Sequence, residues 1–244
     1  MLDRLILDLK KAGEPEKVKA YARFFKTGKG EYGEGDLFLG ITVPKTRAIA
    51  KKYKNLNLSS LQKLLESKIH EYRLCALMIL RMKYESSFAK ASTSTKVTVD
   101  KEKLVDFYLK NTKYINNWDL VDLSCSYILG NWLLASHPSG VKLDILYKLA
   151  RSKSLWERRI AIISTSEFIR NNQFEDTLKI SEILLNDKHD LIHKAVGWML
   201  RELGKRDQKL LEKFLQKHYK QMPRTMLRYA IEKFDEQKRK SYLK

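Results

Sequence analysis

The sequence predicts an all-α protein built as an array of helical repeats, and three observations carry that expectation. Apolar residues recur at helical spacing along nearly the whole chain. Strand-type alternation is confined to Thr95-Lys96-Val97-Thr98-Val99, and there are only four prolines. Ala161, Ala195 and Ala230 each follow a basic residue where a helical segment opens, at intervals of 34 and 35 residues. Arg73-Leu74-Cys75-Ala76 repeats the same opening earlier in the chain. A period of that length belongs to stacked helix pairs, which build a solenoid with an extended concave face.

The elements follow in order. Leu2, Leu5, Ile6 and Leu9 give the first helix an apolar side, and its interspersed acids argue against a secretory signal. Pro15 opens a second helix over 16–25. Residues 28–36 (Gly-Lys-Gly-Glu-Tyr-Gly-Glu-Gly-Asp) formally contain G-x-G-x-x-G, but they follow a helix and not a strand. They read as a flexible loop, open to a close approach of a phosphate backbone. Thr42-Val43-Pro44 starts a very basic helix over 45–54, and helices follow over 59–67 and 70–82. Residues 89–100, rich in Ser and Thr, read as a surface loop or insertion, with helices resuming over 101–111.

Asn116-Asn117-Trp118-Asp119-Leu120-Val121-Asp122 then leads into an apolar run. An Asn ahead of such a run starts a helix, because its side-chain oxygen accepts a first-turn N–H. A helix over 118–134 is expected, with Trp118 and Asp122 one turn apart on one face. That could be a capped helix with a packing tryptophan, or an aromatic ring and a carboxylate set together for chemistry. Further helices are expected over 141–150, 155–170, 174–185, 191–203, 209–218 and 225–237.

Charge narrows the partner. The 48 Lys and Arg exceed the 29 Asp and Glu, for a net +19. Such an excess implies a polyanion, nucleic acid or an anionic membrane. No apolar stretch has the length of a bilayer span. The expected stripe comprises Arg73, Arg158, Arg159, His193, Lys194 and Arg228 at repeat-helix starts, together with Lys45 and Arg47. Singly, each is a solvated helix face; recurrence at one repeat position favours a binding surface, where helix N-terminal N–H groups also favour phosphate. Cys75 and Cys125 lie in apolar helical runs, consistent with a reducing, cytoplasmic setting. His189 and His193 stand four apart without the Glu of a zinc motif, and no Cys/His zinc pattern is present, so no metal or cofactor is expected. Trp132 and Trp156 read as packing residues.

Four stretches resemble one family. Phe38-Leu39-Gly40-Ile41-Thr42-Val43-Pro44, Asn117-Trp118-Asp119-Leu120-Val121-Asp122, Trp156-Glu157-Arg158-Arg159-Ile160-Ala161 and 194–202 (Lys-Ala-Val-Gly-Trp-Met-Leu-Arg-Glu) look like the AlkD-like DNA alkylation repair proteins. The resemblance covers nearly the whole chain. It implies a single domain over 1–244, a right-handed α-solenoid of HEAT-like repeats with a concave basic face. It also implies a monomeric, monofunctional glycosylase, cytoplasmic and nucleoid-associated when bound, that excises cationic N3- or N7-alkylated purines from duplex DNA without flipping them. Carried across by motif, Trp118 and Trp198 would lie against the damaged nucleotide's sugar and backbone. Asp122 would face the anomeric carbon, and Arg159, or its neighbour Arg158, would engage a phosphate. The chemistry is coherent, since a cationic purine leaves without a general acid and one carboxylate suffices to stabilise the sugar cation and orient water. Two other classes share the charge but lack a use for Trp118 and Asp122: a noncatalytic repeat module binding duplex or branched nucleic acid, and a scaffold for an acidic protein.

Overall fold

A computed structural model describes residues 1–89, 95–136 and 143–243. Among the described residues the regular structure is helical, apart from one isolated parallel bridge between Leu37 and Ile69. The chain divides into two compact units, Met1–Ser124 and Cys125–Lys244.

The first unit contains α1 (Leu2–Lys11), α2 (Pro15–Phe24), α3 (Val43–Lys52), α4 (Leu58–Leu65), α5 (His70–Ala89), α6 (Thr95–Lys110) and α7 (Trp118–Asp122). Its organiser is α5. Every residue from 70 to 80 is buried, because the apolar run Leu74–Leu80 leaves no polar face, and α1, α3, α4, α6 and α7 pack on it. The first turn of this central helix nevertheless carries His70, Glu71 and Arg73, all buried. Charges so placed need partners from other segments.

The second unit opens with a π-helical turn (Ser126–Gly130) and continues through α8 (Asn131–Ser136), α9 (Asp144–Ala150), α10 (Leu155–Ser164), α11 (Ser166–Arg170) and α12 (Glu175–Ile183). It ends with α13 (Asp190–Gly204), α14 (Gln208–His218), α15 (Arg224–Ala230) and α16 (Glu236–Leu243). Packing runs between helices close in sequence, as a repeat array requires: α10 meets α9, α12 and α13, while α13 meets α14 and α15. Gly197 permits the close approach of α15 to α13. A Cβ there would lie 2.5 Å from Met226 O and 2.5 Å from the Cβ of Tyr229.

Several expected boundaries move. The helix expected over 118–134 is broken after Asp122, where Ser124 Oγ donates back to Leu120 O (2.6 Å) and a π turn follows before α8. The helix expected over 155–170 divides at Thr165, whose Oγ1 bonds Ile162 O in the same way. The run expected over 225–237 ends at Ala230, and Asp235 starts α16 by accepting the Lys238 N–H. Residues 95–100, expected in a loop, open α6. Lys101, Leu104, Val105 and Tyr108 share one helical face, with Val105 and Tyr108 buried. The β-branched residues of 95–99 cost only about a few tenths of a kcal/mol each. Residues 90–94 of the expected insertion lie outside the described residues.

Candidate active site

The site in the first unit is built from three segments. Asn117 Oδ1 accepts the Trp118 N–H at 2.9 Å, so the expected cap does start α7. One turn then separates Trp118 from Asp122, and both line a cavity of about 390 Å³ with Tyr21, Phe24, Phe25 and Phe38. Trp118 stacks on Phe25 (centroids 5.4 Å apart, planes at 20°) and receives the edge of Phe24 at 5.6 Å. Phe25 stacks in turn on Phe38 at 5.1 Å, and Phe38 on the ring of His70 at 4.8 Å. Phe24 is 62% exposed, so the aromatic wall reaches solvent.

Beneath it lies a buried charged network. His70 Nε2 is 2.8 Å from Asp119 Oδ2, and His70 Nδ1 is 3.4 Å from Asp36 Oδ2. Arg73 donates to Asp36 Oδ2 (2.6 Å) and to Ser67 O (2.7 Å), and Asn116 Nδ2 donates to Asp36 Oδ1 (3.2 Å). Burial alone would raise the Asp36 carboxyl, but the hydrogen bond from His70 and the charge of Arg73 outweigh it and hold Asp36 below its ordinary pKa. Burial likewise pulls His70 down, yet the charge and hydrogen bond of Asp119, with help from Asp36, raise it to about 9. Glu71 faces the other way. Its carboxylate accepts the backbone N–H groups of Leu39, Gly40 and Ile41 at 2.8–3.1 Å. Gly40 has φ +79°, a conformation that brings these amides onto one anion and that glycine adopts without strain.

The glycine-rich loop is no phosphate cradle. The Gly28 and Gly30 N–H groups are taken by the carboxylates of Glu31 and Glu34, both at 2.8 Å. What the loop contributes to the site is its last residue, Asp36.

The expected basic stripe is uneven. Arg73 is 3% exposed and committed to Asp36 and Ser67 O, so it cannot meet a phosphate; a charge at a repeat-helix start is buried here because its counterion arrives from another segment. Lys45 is exposed and paired with Glu14 at 2.7 Å, and Arg47 is exposed. In the second unit Arg159 is 5% exposed and its Nη1 donates to Leu191 O (2.6 Å), joining α10 to the start of α13. Arg158 donates to Asp187 Oδ2 (2.6 Å) and to the carbonyls of Ser152 and Lys153. His193 Nε2 donates to Asp187 O, His189 Nδ1 accepts the Leu191 N–H, and Lys194 pairs with Asp190. Arg228 is exposed, Trp198 is half-buried on α13, and Trp132 and Trp156 are core residues.

The profile of a family described as DNA alkylation repair enzyme matches residues 5–234. The chain belongs to that family. A solved structure described as a predicted DNA alkylation repair enzyme from Enterococcus faecalis is similar in fold, with a TM-score of 0.68 at 18% identity over 92% of this chain and 97% of that one. No curated protein matches. Membership makes this a protein of DNA alkylation repair, with DNA as its partner and an enzyme's role. It also agrees with the sequence resemblance and with an all-α helical-repeat fold. No helix among the described residues is long and apolar enough to cross a membrane.

For a DNA alkylation repair protein, the residues that sequence reasoning missed are instructive: Asp36, His70, Glu71, Phe24, Phe25 and Phe38. One signal was available. His70, Glu71 and Arg73 stand at the head of a wholly apolar run, where charged side chains must be either a cap or a buried network.

Proposed function

We propose that the chain is a monofunctional DNA glycosylase, hydrolysing the N-glycosidic bond of purines made cationic by N3- or N7-alkylation. The observation that carries this reading is the shared cavity wall of Trp118 and Asp122 at the end of an aromatic stack. As the bond from the sugar's anomeric carbon to the purine nitrogen breaks, its electron pair neutralises the purinium ring, and positive charge moves to the sugar. The Asp122 carboxylate stabilises that charge and orients a water. The water's oxygen bonds to the anomeric carbon, its proton passes to solvent, and an abasic site remains. A carboxylate about 4 Å from the developing charge, at an effective dielectric near 20, supplies up to ~4 kcal/mol. That is about a thousandfold in rate. The Trp118 face adds about 0.5–2 kcal/mol against the cationic nucleotide.

The proposed mode leaves the lesion in the helix. A pocket for a flipped base reads that base through hydrogen bonds to its pairing edge. The walls here are instead mainly aromatic and aliphatic; of the polar residues that line them, His70, Asp119 and Glu71 are engaged with protein groups, and Asp122 is assigned to the sugar.

The test is release of 7-methylguanine and 3-methyladenine from methylated duplex DNA. Wild type is expected to release both. Asp122→Asn should slow release by about a hundredfold or more while DNA binding persists, and Trp118→Ala should slow it less. A folded wild type that binds DNA and releases neither base is a binding module and not this enzyme.

A further inference from the structure

We propose that His70 is the positioning residue of this site: as an imidazolium clamped between Asp119 and Asp36, it holds α7 so that Trp118 and Asp122 face the cavity together.

The short length of α7 is the first reason. Five residues make barely more than one turn, and a helix that short has no stability of its own. Its orientation must come from tertiary contacts, and the polar one in its interior runs from Asp119 Oδ2 to His70 Nε2 at 2.8 Å. Asp119 lies between Trp118 and Asp122 in sequence, so this anchor, beside the buried Leu120 and Val121, bears directly on the rotation of the turn that carries both.

The second reason is that His70 reaches Trp118 by another route. Its ring lies against Phe25 (4.9 Å) and stacks on Phe38 (4.8 Å), and Phe25 stacks on Trp118. A cation against two aromatic faces is held more strongly than a neutral ring. The indole is thus the outer layer of a stack whose inner layer is His70.

The third reason is the proton count. Both ring nitrogens face carboxylate oxygens, one on Asp119 and one on Asp36. A neutral imidazole has one N–H and would turn a lone pair towards one of them; only the imidazolium donates to both. Charge agrees: Asp36 and Asp119 are balanced by Arg73 and protonated His70, and by Arg73 alone only in half. The other ionisable groups nearby are Glu71, tied to the 39–41 amides, and Asp122 and Tyr21 on the cavity wall. The raised His70 pKa, about 9, is the consequence. Loss of this proton with rising pH leaves Asp119 facing a weaker partner and loosens the polar hold on α7.

The activity arm rests on the glycosylase reading; a second arm does not. In single-turnover release of 7-methylguanine, His70→Gln should lower the rate constant by about tenfold to a hundredfold at neutral pH, the scale of a misplaced catalytic group. DNA affinity should stay within about threefold, since His70 is 1% exposed and engaged with Asp36 and Asp119. The wild-type rate should fall as pH rises through about 9, and the His70→Gln rate should lack that fall. Wild-type rate and pH profile in folded His70→Gln overturn the proposal. If His70→Gln does not fold, Asp119→Asn decides: the same loss supports the clamp, and a wild-type rate overturns it. The second arm uses no substrate. Tryptophan emission of the wild type should titrate with a midpoint near 9. That titration should vanish in Trp118→Phe and in His70→Gln. Its presence in a wild type that releases no base sinks the glycosylase reading and leaves the clamp standing; its absence sinks the clamp.

Discussion

Single residues show where local pattern loses its hold. The setting of Trp118 and Asp122 one turn apart behind the Asn117 cap was legible because the cap, the spacing and the helix belong to one stretch of chain. The tie from Asp119 to His70 was not, since its partner lies 49 residues away. Arg73 was not, since it shares its repeat position with Arg228, yet one is buried and the other exposed. The difference lies in Asp36, which stands 37 residues before Arg73 and meets its guanidinium at 2.6 Å. Arg73→Met should therefore act on stability. Removing one partner of a buried pair costs about 3–5 kcal/mol, to be read as a lower denaturation midpoint. The salt dependence of DNA binding by the folded fraction should not change. An altered salt slope at unchanged stability would return Arg73 to the surface stripe.

At the scale of elements, existence and type were legible from periodicity, and breaks were not. Ser124, Thr165 and Asp235 each redirect a helix through a side-chain bond to nearby backbone, while the apolar spacing continues across them. The threonines at 95 and 98 mislead in the opposite sense, since a long helix tolerates them. Packing between elements was the least visible in the sequence, and Gly197 illustrates it. Nothing around it signals a close approach, yet α15 leaves no room for a methyl group. Gly197→Ala should destabilise by about 1–3 kcal/mol through overpacking. A thermal melt would register it as roughly 2–4 °C per kcal/mol. A melting point at or above wild type would show that α15 shifts away at no cost.

For the molecule as a whole, the net charge of +19 was read correctly as pointing to a polyanion, and family membership supplies DNA. Charge count alone overstates the contact surface, because many cations are engaged with carboxylates: Lys45 with Glu14, Arg158 with Asp187, Lys194 with Asp190. Arg47 and Arg228 are exposed and better candidates for phosphate contacts. Arg47→Ala and Arg228→Ala should each reduce the log–log slope of DNA affinity against salt by about 0.9. Slopes equal to wild type in both would move the contact surface elsewhere.

The carboxylate of Glu71 has a bearing on how the first unit holds together. Residues 37–42 form neither helix nor sheet beyond a single bridge, and their shape is set by an anion 30 to 32 residues further along the chain. Other bonds of the segment also run to distant chain, Leu39 O accepting the Glu14 N–H and Leu37 pairing with Lys68 and His70, so its conformation depends on closing long loops, which costs entropy. Three of the segment's backbone N–H groups are therefore satisfied only with α5 docked against it. Asp36, the next residue back, meets His70 and Arg73 of the same helix, so the charged floor of the site and the core of the first unit share one dependence on α5.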